Sequence, residues 1–175
     1  MRALLLSLLL APAALAQGGV SPDSLLAPLA PLVGAPWRAT FESDGRTVTD
    51  VSRFEWAVRG RALRNVHALA DGSYGGETLI WADGDSLRFV YVTTGGFTTQ
   101  GSGHVRDDGA LVVLEDVAGH PEIDRVRSTS HVDAEGRLQT VTEFRRGGVW
   151  EEGRTATYLR APDATLPPGF DPAEE

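Results

Sequence analysis

Asp83-Gly84-Asp85-Ser86-Leu87-Arg88-Phe89-Val90-Tyr91-Val92-Thr93-Thr94-Gly95-Gly96 is the stretch that decides the fold. Leu87, Phe89 and Tyr91 alternate with Arg88, Val90 and Val92, the period of two of an extended strand whose successive side chains point to opposite faces. A glycine turn bounds the run on each side, as expected where a hairpin needs a residue at positive φ. The same unit recurs in both directions. Asp44-Gly45, Gly60, Asp71-Gly72, Asp108-Gly109, Gly119, Glu135-Gly136 and Gly147-Gly148 punctuate runs rich in Val, Thr, Phe, Tyr and Trp. The spacing predicts ten strands, at 37–43, 47–58, 62–70, 77–82, 86–94, 97–106, 110–117, 122–132, 137–145 and 149–160.

Strands with one apolar face suit an antiparallel sheet that covers a core on one side. No helical pattern of crossover length separates them, which excludes a parallel βαβ architecture. Ten sequential antiparallel strands would leave two long edges unless the sheet closes. The predicted fold is therefore all-β, an antiparallel up-and-down barrel over 35–160, with a two-sheet sandwich as the alternative.

The ends read differently. Residues 1–16 have the form of a signal peptide: Arg2, an apolar run from Ala3 to Leu10, and Ala14-Leu15-Ala16 as an A-x-A cleavage site. That run is too short for a comfortable membrane span of about 20 residues. The expectation is an exported protein, periplasmic or secreted, with no transmembrane segment in the mature chain. Over 17–34, Ser21-Pro22-Asp23 resembles a helix start, and Leu25, Leu26, Leu29, Leu32 and Val33 share one helical face. Pro28 and Pro31 restrict this to a short helical lid. Residues 161–175, with four prolines and a Glu174-Glu175 end, are expected to form a flexible acidic tail.

Composition removes several chemistries. The chain has no cysteine and no lysine, all 16 basic residues being arginine. Thiol catalysis, thiolate metal sites, Schiff-base chemistry and a lysine-bearing phosphate loop are excluded. With 24 acidic residues the formal net charge is −8, and an acidic surface repels phosphate backbones, so no nucleic-acid partner is expected.

Leu32-Val33-Gly34-Ala35-Pro36-Trp37 at the start and Tyr158-Leu159-Arg160 at the end of the strand region carry a family resemblance. The chain resembles the calycins, the lipocalin-like superfamily, which open their first strand with Gly-x-Trp after a helical turn. Here one more residue separates Gly34 from Trp37. Phe54-Glu55-Trp56, Gly60-Arg61-Ala62-Leu63 and Gly75-Gly76-Glu77-Thr78 are similar to stretches of exported bacterial lipocalin-like domains. The resemblance implies that Trp37 and Arg160 close the barrel floor by cation–π stacking, a structural role. It also implies a lumen that holds a small hydrophobic or amphipathic ligand. Some related barrels bind haem through one histidine. No residue here matches that ligand motif, and no cofactor is expected.

Trp56, Tyr91, Trp150 and Tyr158 are the aromatics that could line such a lumen, or simply pack its core. In the last strand Trp150, Glu152, Arg154, Ala156, Tyr158 and Arg160 share parity, too many charges for an apolar interior. That face either points inward and makes a polar cavity or points outward. The eighth strand poses the same question, with Arg125, Arg127, Thr129 and His131 on one side. Turned inward, Arg127 and His131 would clamp the anionic end of a ligand, with Glu143 as a neighbour for Arg127. Turned outward, they form a solvated face.

His67, His104, His120 and His131 show no local zinc spacing, so no metal is expected. Ser102 and His104 share a face but lack a nucleophile elbow, and Gly101 and Gly103 read as relief for a bend. The leading expectation is non-catalytic binding of a small, partly apolar ligand. One alternative is a barrel enzyme of isomerase, cyclase or hydratase type, with His131 or His67 as base beside Glu143. Another is a filled barrel that works through its outer surface as an interaction module.

Overall fold

The computed structural model describes residues 21–43 and 45–170. The signal-peptide reading of 1–16, and the ends of the two flanking segments at 17–20 and 171–175, lie outside the described residues. Ten strands follow one another: β1 (Trp37–Ser43), β2 (Arg46–Ala57), β3 (Ala62–Leu69), β4 (Gly75–Asp83), β5 (Ser86–Thr93), β6 (Thr98–Val105), β7 (Leu111–Ala118), β8 (Ile123–Val132), β9 (Leu138–Arg146) and β10 (Val149–Arg160). Each pairs antiparallel with the next, and β1 pairs with β10, so the sheet is a closed barrel and the sandwich alternative falls. Closure leaves no free edge, which is how an all-antiparallel meander of this length avoids pairing with other chains.

Register fixes which side chains enter the lumen. Trp37, Ala39 and Phe41 of β1 stand opposite Ser52, Asp50 and Val48 of β2. Ser52, Phe54 and Trp56 stand opposite His67, Asn65 and Leu63 of β3. The inward series continues through Ile80, Thr78 and Gly76 of β4 to Phe89, Tyr91 and Thr93 of β5. It then runs through Thr99 of β6, Glu115 and Val113 of β7, Val126 and Ser128 of β8, and Phe144 and Thr142 of β9.

One end is plugged. A 3-10 turn over Ala27–Leu32 places Leu26, Leu29 and Leu32 in one row, because residues three apart eclipse in that helix. The start is set by Asp23, whose carboxylate accepts from the Leu25 N–H at 3.1 Å and whose own N–H donates to the Gly60 carbonyl at 2.9 Å. The three leucines pack with Trp37, Leu63, Ile80, Leu87, Phe89, Leu111, Leu138 and Tyr158 into the main core. Trp37 is fully buried and its indole N–H donates to the Leu32 carbonyl at 2.9 Å. The Arg160 guanidinium lies 3.8 Å from the Trp37 ring centroid and donates to the carbonyls of Pro31, Val33 and Ala35. The lid, the first strand and the last are thereby tied at one point.

The segment after Arg160 departs from the expected flexible tail. Leu166 is buried against Val51, Val66 and Ala68, with Ala164 and Phe170 packed on the same cluster. The reason lies in parity: these three strand residues face outward, and this segment supplies the cover that buries them.

Candidate functional site

The barrel end away from the lid holds a polar chain built from four strands and one turn. Asp50 of β2 is 1% exposed. One of its oxygens stands 2.9 Å from His67 Nδ1, and the other accepts from the Tyr158 hydroxyl at 3.0 Å. His67 Nε2 is 2.7 Å from the Tyr91 hydroxyl, which is 3.0 Å from that of Tyr74 in the turn before β4. With Asp50 as the carboxylate, which can only accept, and His67 as the neutral imidazole, the proton sits on Nδ1 and Nε2 accepts from Tyr91. Tyr74 then donates to Tyr91. Donors and acceptors alternate without conflict along the whole chain.

Local sequence explains the placement. His67 stands opposite Gly76 in the β3–β4 register. A Cβ at Gly76 would come within 2.5 Å of the Tyr91 ring and 2.3 Å of the Val92 carbonyl oxygen. Only glycine lets the phenol lie against the wall, where its centroid is 5.6 Å from the His67 imidazole. The Tyr74 ring meets that imidazole edge-on at 5.9 Å. Burial pushes the phenol pKa values of Tyr91, Tyr158 and Tyr74 up, with the neighbouring Tyr74 next in weight for Tyr91 and the Asp50 charge next for Tyr158. All three hydroxyls stay protonated through neutral pH. Glu115 also points into this half, and its carboxyl pKa is raised by burial, against the Thr99 hydroxyl that donates to it at 2.6 Å.

The structure divides the residues expected to bind a ligand. Tyr91 and Tyr158 face inward and join the polar chain, while Trp56 faces inward nearer the lid and packs against the apolar core. Arg127, Glu143 and Trp150 face outward. Arg127 is ion-paired with Glu143, and its guanidinium carbon lies 4.6 Å over the Trp150 ring. His131 is exposed on the outer face, beside a small cleft of about 180 Å³ under the lid turn. Of the two facings that parity left open for these residues, the structure takes the outward one.

A bulge in β10 explains why parity misled for Trp150. Register shifts between Glu152 and Thr155, so Trp150 and Tyr158, which share sequence parity, face opposite sides. Gly153 sits in that bulge, where a Cβ would stand 2.5 Å from the Thr142 carbonyl oxygen.

Asp50, Tyr74 and Glu115 were not singled out by sequence. Extending the parity of Phe54 and Trp56 back along β2 would have put Ser52 and Asp50 inside. Among the described residues no cluster of three His, Asp or Glu side chains could hold a metal ion, and no helix is long and apolar enough to cross a membrane. Both His67 ring nitrogens already have protein partners.

No family model matches the chain, and no curated protein matches it in sequence. Among solved structures it is similar to Rv2717c from M. tuberculosis, with a TM-score of 0.62 at 16% identity, over 81% of this chain and 99% of the other. That likeness concerns the fold.

Proposed function

We propose that the protein is an exported, non-catalytic binder of a small, partly apolar molecule that enters the barrel at the end opposite the lid. What supports the reading is the inward chain Asp50–His67–Tyr91–Tyr74. It joins four polar side chains of the lumen in one path, which passes from a fully buried carboxylate to an imidazole that is 16% exposed. Tyrosine rings supply apolar contact and hydroxyls supply direction, the mixture expected of a site that orients a ligand. Export is read from the leader-like pattern of residues 1–16.

A second reading, acid–base catalysis, is favoured by the carboxylate that orients the His67 imidazole. It ranks lower because both ring nitrogens are occupied, and a substrate would have to displace Tyr91 to reach a lone pair. Native mass spectrometry of the protein from its own host tests the first reading. A bound small molecule, released on denaturation and lost from His67→Leu and Tyr91→Phe variants, is the expected result. A protein that carries nothing, with unchanged His67 and Tyr91 NMR signals across a panel of apolar acids, amines and alcohols, overturns it.

A further inference from the structure

The outer wall carries a concavity besides the cleft under the lid turn. Gly101 and Gly103 face inward on β6, where a Cβ would stand 1.9 Å from the Leu114 carbonyl oxygen and 2.6 Å from that of Val112. Without side chains there, the β7 backbone lies close against β6 on the inner face. On the other face a groove of about 600 Å³ extends across β6 to β10. Its floor includes His104 and Leu114, the latter 43% exposed, and its walls are Arg125, Arg127, Arg145 and Trp150.

The charges in the groove have one sign. Three guanidiniums line it and no carboxylate does, in a chain whose net charge is −8. Each arginine is held from the flank: Arg125 by Asp116 at 2.7 Å, Arg145 by Asp124 at 2.8 Å, and Arg127 by Glu143. Arg127 and Arg145 both use Nε and Nη2 for these forks, which leaves Nη1 of each without a protein partner among the described residues. The flanking carboxylates weaken the long-range field of the groove while fixing the planes of the guanidiniums. Recognition would rest on directed N–H donors. Trp150 adds an aromatic ring beside two of them, with Arg127 at 4.6 Å and Arg145 at 6.0 Å from its centroid.

We propose that this groove binds small organic oxyanions carried on a flat apolar body, of the aryl carboxylate or aryl phosphate class. The free N–H donors of Arg127 and Arg145 meet the anionic head. Trp150 and Leu114 cover the ring. The site requires no change in the lumen and is independent of the ligand proposed there.

A ¹H–¹⁵N NMR titration of the folded chain tests this, with 1-naphthoate as probe, its neutral alcohol 1-naphthalenemethanol as the uncharged control, and inorganic phosphate as the control without a ring. Naphthoate is expected to shift the Trp150 indole N–H and the amides of Ser102, His104 and Leu114 saturably. Each control should bind more weakly by about tenfold, the worth of one charge-assisted hydrogen bond or one covered ring. Arg145→Gln and Trp150→Ala should each weaken naphthoate by about tenfold, with the shifts of lumen residues unchanged as proof of folding. His67→Leu should leave this affinity alone, which separates failure here from failure of the lumen reading. Equal binding of the neutral alcohol, equal binding of inorganic phosphate, shifts confined to the lumen, or no shifts up to about 10 mM probe would each overturn the assignment.

Discussion

The two halves of the barrel interior are made differently. At the lid end Leu26, Leu29, Leu32, Trp37, Leu63 and Leu87 are each no more than 5% exposed, and apolar side chains fill the space. At the other end the buried side chains include Asp50 and Thr99, joined by His67, Tyr91 and Glu115. The strands run through both halves, so backbone pairing is common to them. The lid half draws its stability from burial of area, and the other half from hydrogen bonds that must all be made at once. A barrel can keep one end solid and leave the other free to carry polar groups.

The sharpest way to break the contrast is to empty the lid half. Trp37→Ala removes the ring that meets Leu32 and Arg160 and leaves a cavity in the plug, which should destabilise the fold by about 3–5 kcal/mol. Urea unfolding with an unchanged slope checks this, and a loss under about 1 kcal/mol would mean the lid is not the main source of stability. In the polar half, Asp50→Asn leaves the His67 N–H and the Tyr158 hydroxyl competing for one acceptor. The expected loss is smaller, about 1–3 kcal/mol. A larger loss than that of Trp37→Ala would reverse the comparison.

Much of the contrast was legible before any coordinates. The ten strands fall within a residue or two of the expected bounds, because turns at positive φ such as Gly84 and Gly109 mark hairpins whatever the tertiary context. The lid leucines were readable from their spacing. The polar chain was not, because its members lie on β2, β3, β5 and β10 and the turn at Tyr74, and parity along one strand does not say which residues of other strands its side chains meet. In β8 the apolar residues were too few to settle that question. In β10 a single bulge at Gly153 reversed the facing midway, and a lone glycine within a strand was its only trace.

The turn between β2 and β3 sharpens the comparison from the lid end. Val58 and Arg59 both adopt positive φ, 48° and 54°, where most of the other hairpins use glycine. A β-branched residue there is strained, and Val58 is 69% exposed, so no burial offsets the cost. Val58→Asn should stabilise the protein by about 1 kcal/mol, since asparagine tolerates this region. An unchanged urea midpoint would show that the strain is relieved by contacts the side chain makes.

The smallest expected effect belongs to Glu115 and is visible as a pH dependence. Burial raises its carboxyl pKa in the folded state above the ordinary 4.5. The folded protein therefore holds this proton more tightly than the unfolded chain. The stability that this gives is full below pH 4.5 and is lost as pH rises through the folded value. Glu115→Gln cannot ionise and keeps an acceptor for the Thr99 hydroxyl. It should raise the melting temperature relative to the parent at neutral pH, with the advantage shrinking as pH falls toward 4.5. The same substitution tests the division of the interior, because a carboxylate already solvated through the mouth of the barrel would give no such trend. Parallel melting curves for the two proteins from acid to neutral pH would place Glu115 with the wet rim instead of the dry wall.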